Sequence, residues 1–325
     1  MTTDWRKLHA DHFRNRRCLV TGGAGFIGSH LVDALVELGA AVTILDDLSG
    51  GDRRNLNPAA RFIEGSILDP RAIASAIQGC ELVFHQAAKV SVPASVADPV
   101  SYFRVNVEGT QTVLEAARQA RVRRVMFAAS SSAYGDSPIL PKVETMAPLS
   151  HSPYAASKVA GEHLMRAYAT SYDIDTVSLR YFNIFGPRQN ANSAYAGVIA
   201  AFAKRLLGGQ PPVITGDGTA TRDFTFVHNA VHANLLAARG ERRLGGEVFN
   251  IATGQSSTVR HLAERMAALL GRADLPPQFA PPRPGDVPHS RADIALATKV
   301  LGYAPLVDFE SGLRATVEWY RAALA

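Results

Sequence analysis

Tyr154 and Lys158 stand four residues apart in Pro153-Tyr154-Ala155-Ala156-Ser157-Lys158, which opens a stretch predicted to be helical to about Tyr172. That spacing places both side chains on one helix face. An ammonium beside a phenol favours the phenolate, as would an oxidised nicotinamide cation nearby, so the pair predicts a tyrosine base usable near neutral pH. Two surface residues on any helix would share this spacing. Its neighbours make it specific: Ser130-Ser131-Ser132 follows a buried apolar run, where a serine hydroxyl can orient a substrate hydroxyl for proton transfer.

A second constellation lies near the start of the chain. Thr21-Gly22-Gly23-Ala24-Gly25-Phe26-Ile27-Gly28 sets glycines at 22, 25 and 28 between an apolar run and a helical pattern. Glycine allows the tight turn, a close backbone approach to a pyrophosphate and tight packing of helix on strand, with the phosphates at the positive helix N-terminus. Asp46, at the end of the next apolar run, is placed to bind adenosine ribose hydroxyls. A 2′-phosphate there would meet Asp46 and Asp47 together, which favours NAD over NADP; Arg53 and Arg54 are the residues that would have to counter that repulsion.

The elements that must position these groups read as strands alternating with helices. Apolar runs at Arg17–Thr21, Ala41–Leu45, Arg61–Glu64, Leu82–His85 and Arg124–Ala128 are separated by helical stretches, among them the one closed by Gly39 and Val105 to Ala120. The expectation is an α/β fold, a Rossmann-type doubly wound parallel sheet. After Tyr181 prolines and glycines multiply, from Pro187 to Pro288, which suits a smaller, loop-rich α/β substrate lobe. Glu247–Ile251 reads as a strand returning to the main sheet. The expected division is therefore a dinucleotide-binding part over 15–183 with about 224–252, and a discontinuous substrate lobe over 184–325.

Composition narrows the function classes. The 325 residues are 47% hydrophobic and 19% charged, which excludes disorder as the main theme. Net charge is +5, yet the basic residues form no run longer than a pair, and no aromatic-and-basic platform suggests nucleic-acid binding. Cys18 and Cys80 are too few for a disulfide framework or a cysteine metal site and read as buried free thiols. His85 and His228 sit in apolar runs and read as packing histidines; no metal is expected. No apolar run approaches a membrane span, and Met1–Arg17 lacks the apolar core of a signal peptide. A cytoplasmic enzyme is the expectation.

With these motifs in hand, the chain resembles the extended short-chain dehydrogenase/reductases, and within them the nucleotide-sugar 4-epimerases, from Arg17 to about Tyr320. The resemblance is carried by Thr21 to Leu31, Asp46-Asp47-Leu48-Ser49, His85-Gln86-Ala87-Ala88, Asn106 to Thr110 and Ser130 to Gly135. It continues through Tyr154 to Lys158, Arg180 to Pro187, Gly216 to Phe224 and Arg283 to Val287. It implies Tyr154 as base, Lys158 as its electrostatic partner and Ser130 as the third catalytic member. It implies NAD contacts from Gly22, Gly25, Phe26, Ile27 and Gly28, from Asp46, Asp47 and Ser49, and from Ser66 and Ile67. Further cofactor contacts fall to Gln86, Ala87, Ala88, Asn106, Tyr154, Lys158 and Tyr181. On the substrate side it implies Ser91, Ser132, Tyr154, Asn183, Ala194, Tyr195, Arg222, Arg283, Asp286 and Ser290. Two arginines facing a diphosphate would make charge-assisted, often bidentate contacts.

Two positions depart from the family pattern. Ser66 stands where relatives often carry an acidic residue for the adenine amine, and Val90, beside Lys89, replaces a lysine of one branch. Sugar-nucleotide 4,6-dehydratases and decarboxylases carry carboxylates directly after the catalytic Ser or Thr; here those positions are Ser131 and Ser132. A non-catalytic NAD-sensing relative would typically lack the Tyr or the Lys. The resemblance thus implies transient oxidation of a UDP-hexose at C4 and return of hydride to the other face, in a homodimer. Ser290 stands where relatives restricted to UDP-glucose and UDP-galactose carry a bulky Tyr. The small residue points to UDP-GlcNAc and UDP-GalNAc alongside UDP-Glc and UDP-Gal, with UDP-glucuronate 4-epimerisation as the alternative.

Overall fold

The computed structural model describes residues 3–191, 197–282 and 287–324. Seven parallel strands form one sheet in the order Glu247–Ile251, Asp175–Tyr181, Arg124–Ser130, Leu82–His85, Arg17–Thr21, Ala41–Asp46, Arg61–Glu64. Chain order reverses between Arg17–Thr21 and Leu82–His85, and a crevice opens at such a reversal outside the strands' C-terminal ends. The Glu247–Ile251 run does return to this sheet, as its outermost strand beside Asp175–Tyr181.

Strand alternation explains why both faces are covered. Cys18, Val20, Leu82, Phe84 and Met126 point to one side, where they pack with Leu31 and Leu35 of the helix Phe26–Glu37 and with Leu235 of the helix Val227–Arg239. Leu19, Val83, Val125 and Phe127 point to the other, against Ile73, Leu114 and Met165 from three further helices. With both faces dry, strands read as continuous apolar runs, which is why they were legible. Cys18 and Cys80 are buried free thiols. A third core, built around Phe185, Phe202, Phe226, Leu262 and Leu313, belongs to the C-terminal part.

The predicted helix Val105–Ala120 is longer and irregular. It runs from Pro99 through a π-helical segment, Arg104–Glu108, into Gly109–Gln119. The irregularity sits at Asn106, whose buried amide exchanges two hydrogen bonds with the Lys89 backbone (2.8 and 3.0 Å) and donates to Ser157 (2.9 Å). A π-bulge of this kind redirects one side chain without ending the helix. Among the described residues no helix is long and apolar enough to cross a membrane.

Five of the ten histidines are buried or half-buried. His85 is held between Thr21 (2.7 Å) and Thr110 (3.0 Å), while the His9 and His232 rings share a hydrogen bond of 3.1 Å. Burial pushes His9, His85 and His228 down to about 3, and His30 and His232 to about 4. The unfolded chain titrates near ~6.5 and so binds more protons than the fold below that pH. The contribution of these groups is complete above that value and is lost as pH falls towards 4. Between about pH 6 and pH 5 stability should fall by roughly 1 kcal/mol or more per pH unit, measured as urea midpoints. A flat profile there would contradict five neutral, buried imidazoles.

Candidate active site

A cleft of about 990 Å³ lies along the C-terminal ends of the strands. Its floor is the glycine turn. Gly22 has φ +70°, and a Cβ on it would lie 2.7 Å from the Ala87 amide nitrogen; a Cβ on Gly28 would lie 2.1 Å from the Gly22 carbonyl oxygen. Neither contact can be relieved by a side-chain move, because backbone faces backbone. The helix Phe26–Glu37 therefore starts hard against the turn, with its free N–H groups facing the cleft. Asp46 accepts from Ala24 N (2.9 Å) and Leu48 N (2.8 Å), one bond to each carboxylate oxygen, leaving lone pairs for a ribose. Burial pushes its pKa up against those two bonds.

Around this cradle stand Phe26, Ile27, Asp47, Ser49, Ile67, Gln86, Ala87 and Ala88. At the inner end the helix Pro153–Ser171 contributes Tyr154 and Lys158, and the strand Arg124–Ser130 contributes Ser130. The Ser132 hydroxyl donates to Ser130 Oγ (2.9 Å). Lys158 Nζ donates to the Ala128 carbonyl (2.9 Å) and lies 5.0 Å from the centre of the Phe127 ring.

The electrostatics add what spacing alone does not show. Burial pushes the Tyr154 phenol above its ordinary value, with the Ser130 hydroxyl pulling in the opposite direction. Burial also lowers Lys158 to about 7, which the Glu162 carboxylate resists. The same dry surroundings penalise both charged forms, so the lysine alone does not bring the phenol down. A cation bound in the adjoining cleft would favour the phenolate.

Residues 18–252 match the NAD dependent epimerase/dehydratase family. The chain belongs to that family, and NAD is its cofactor. It is 43% identical to a UDP-glucose 4-epimerase of Mycolicibacterium smegmatis over 312 residues, covering 94% of this chain and 98% of that protein. Among solved structures, the UDP-N-acetylglucosamine 4-epimerase of Methanobrevibacter ruminantium in complex with UDP-N-acetylmuramic acid superposes with a TM-score of 0.91. It is 39% identical, with 95% of this chain and 99% of that one covered. The Thermus thermophilus UDP-glucose 4-epimerase complex with NAD gives 0.86 at 38% identity, covering 94% and 99%.

As a member of this family the chain must hold a dinucleotide, and its residues fit one. Gly22 and Gly28 admit no Cβ, Asp46 would meet the ribose, and Lys158 lines the same cleft. Tyr181 closes the floor through a ring of hydrogen bonds. Its hydroxyl donates to Gln86 Oε1 (3.2 Å) and accepts from Asn234 Nδ2 (2.7 Å), while Gln86 donates to Asn234 Oδ1 (3.2 Å). Asn234 was not anticipated. Its signal was faint, one of two buried amides on the helix Val227–Arg239, the other being Asn229.

Ser132, Asn183, Arg222 and Ser290 line the same cleft. Asn183 adopts φ +39°. Arg222 donates to the carbonyls of Thr221 (2.9 Å) and Pro288 (3.2 Å), and Ser290 N donates to the Thr221 carbonyl (3.0 Å). Ser66, Ser91 and Asn106 are not among the lining residues. The Ser66 hydroxyl accepts from Leu68 N, the Ser91 hydroxyl caps the helix Val92–Ala97, and Asn106 braces Lys89 from behind. Lys89 itself is turned to Ser101 (2.6 Å) and Asp98 (3.5 Å). Ala194, Tyr195, Arg283 and Asp286 lie outside the described residues.

Gly28→Ala tests the cradle directly. The added methyl must displace the Gly22 carbonyl, so the variant should retain less than about a tenth of the wild-type NAD. NAD released by heat denaturation and assayed by enzymatic cycling is the measurement. Full occupancy in a folded variant would contradict the placement of the phosphates at this turn.

Proposed function

We propose that this NAD-dependent epimerase inverts C4 of UDP-hexoses, interconverting UDP-GlcNAc with UDP-GalNAc and UDP-Glc with UDP-Gal. The observation that carries the sugar preference is Ser290: a small residue, buried in the wall of the cleft and fixed through its backbone to Thr221. A small wall there leaves room for an acetamido group at C2. The relatives' activities, UDP-glucose and UDP-N-acetylglucosamine epimerisation, support the same choice.

Bound NAD supplies a reversible hydride acceptor, and the protein's residues do the rest. Tyr154 takes the proton from the sugar 4-hydroxyl and later returns it. Ser130 and Ser132, already hydrogen-bonded to each other, orient that hydroxyl. Lys158, next to the phenol, stabilises its charged form once positive charge in the cleft favours it. Arg222 serves the diphosphate and Asn183 the base, with 15–183 and 224–252 holding the cofactor and 184–325 the nucleotide sugar. Elimination of water would need a carboxylate acid and base beside Ser130; Ser131 and Ser132 cannot provide them at neutral pH. The same reading includes a homodimer through the helices 104–119 and Pro153–Ser171, and sedimentation as a single chain would contradict it.

Two variants separate chemistry from specificity. Tyr154→Phe should keep NAD and fold but lose about 10²–10⁴-fold in turnover, as expected for a lost general acid–base group; turnover close to wild type would refute the assignment. Ser290→Tyr should abolish activity on the N-acetylated pair and spare the plain hexoses, because an overfilled pocket cannot relax without moving its wall. A panel of UDP-sugars, including UDP-glucuronate, separated by chromatography after incubation, reads both. Wild type inactive on UDP-GlcNAc, or a Tyr variant equally active on both pairs, would sink the gatekeeper role.

A further inference from the structure

Asp223 is a fully buried carboxylate that lines no part of the cleft. Its side chain gathers two other loops. Oδ1 accepts from Thr253 N (2.9 Å) and Thr253 Oγ1 (2.6 Å); Oδ2 accepts from Gly254 N (3.0 Å) and Ala292 N (3.3 Å). Its own main-chain carbonyl accepts from Asn183 Nδ2 (3.3 Å). Each partner abuts a cleft residue or the sheet. Arg222 precedes Asp223 directly, Ala292 lies two positions beyond Ser290, and Thr253 follows the end of the strand Glu247–Ile251.

We propose that Asp223 is the positioning residue of the nucleotide-sugar wall, setting Asn183, Arg222 and Ser290 relative to one another by tying their loops to the end of the main sheet. This rests on the substrate reading above for what those three residues bind. A buried carboxylate is costly unless its lone pairs are met, and here four donors from three residues meet them. An amide of the same shape has one acceptor oxygen and turns two N–H groups towards backbone N–H groups. It cannot hold both loops. Neither the glycine turn nor the Tyr154–Lys158 pair touches this carboxylate, so its loss should act on substrate binding ahead of chemistry.

The test uses the whole enzyme with its NAD. Asp223→Asn should raise KM for the UDP-sugar by about tenfold or more while kcat changes by less than about threefold, as expected for lost charged hydrogen bonds that act in binding. Bound NAD per chain should stay at the wild-type level. Backbone hydrogen exchange should accelerate at 253–254 and 288–292 and stay unchanged at 21–28. Thr253→Val keeps the backbone donor and removes only the hydroxyl, so KM should rise by roughly two- to fivefold, and this variant decides the matter should Asp223→Asn fail to fold. Unchanged KM in an active Thr253→Val enzyme, or exchange accelerated equally at the glycine turn, overturns the proposal. Wild type inactive on every UDP-sugar refutes the substrate reading instead, while the exchange pattern still decides whether Asp223 ties these loops.

Discussion

Everything in the cleft depends on how closely the helix Phe26–Glu37 is allowed to approach the turn that precedes it. The spacing between Gly28 and the Gly22 carbonyl leaves no room for a methyl group, and Gly22 is itself pressed against Ala87 at the end of the neighbouring strand. Three backbones therefore meet in one place: a turn, a helix start and a strand end. The helix presents its unpaired N–H groups and the positive end of its dipole there, in a hollow no side chain fills. The reversal of strand order beside Arg17–Thr21 keeps the crossing connections away from it.

The same dryness that makes the fold stable sets the terms for the chemistry. Tyr154 and Lys158 are enclosed enough that burial works against both of their charged forms. One turn further along the helix, Glu162 is locked to Arg180 by two hydrogen bonds (2.8 and 2.7 Å), and Arg180 lies 4.7 Å from the centre of the Tyr134 ring. A buried pair of this kind adds little net stability, since desolvation offsets most of its attraction. Its effect is local. It fixes a negative charge at one distance from Lys158, and it braces the short turn carrying Ser130 and Ser132 through Tyr134. In this low-dielectric setting, a cation arriving in the cleft has far more influence on the phenol than it would in water.

How much of this was legible follows from where each signal lives. Both covered sheet faces favour apolar strands, so five strands and the return at Glu247–Ile251 were visible as runs, whereas Asp175–Tyr181, broken up by Asp175, Thr176, Ser178 and Arg180, was not. Gly22, Gly25 and Gly28 were visible because backbone crowding leaves only one residue type. The π-helical segment at Asn106 was not, since Arg104–Glu108 has an ordinary helical composition and its irregularity comes from a tertiary partner, the Lys89 backbone. Ser91 shows how a second role hides: its hydroxyl accepts from Ala94 N as a helix cap, which the residue type alone did not indicate. The effect of burial on Tyr154 was not legible, because spacing reports which groups are neighbours and says nothing of how dry their surroundings are.

Asp223 and Asn234 share a physical reason for escaping notice. Each is a polar residue with other polar residues close by in sequence, and what it does is decided by residues far away: Thr253, Gly254 and Ala292 for one, Gln86 and Tyr181 for the other. Both hold something that touches the cleft without touching it themselves. Asn234 closes a ring of hydrogen bonds with Gln86 and Tyr181; Asp223 gathers the loops that carry Arg222 and Ser290. A polar group that is buried must find its partners or cost the fold dearly. The two buried amide and carboxylate groups therefore mark where the chain spends stability to hold a surface still. On the reading proposed above, an active site that holds its cofactor through every turnover yet releases its sugar needs those two surfaces held by separate anchors, and Asn234 and Asp223 are placed to be one for each.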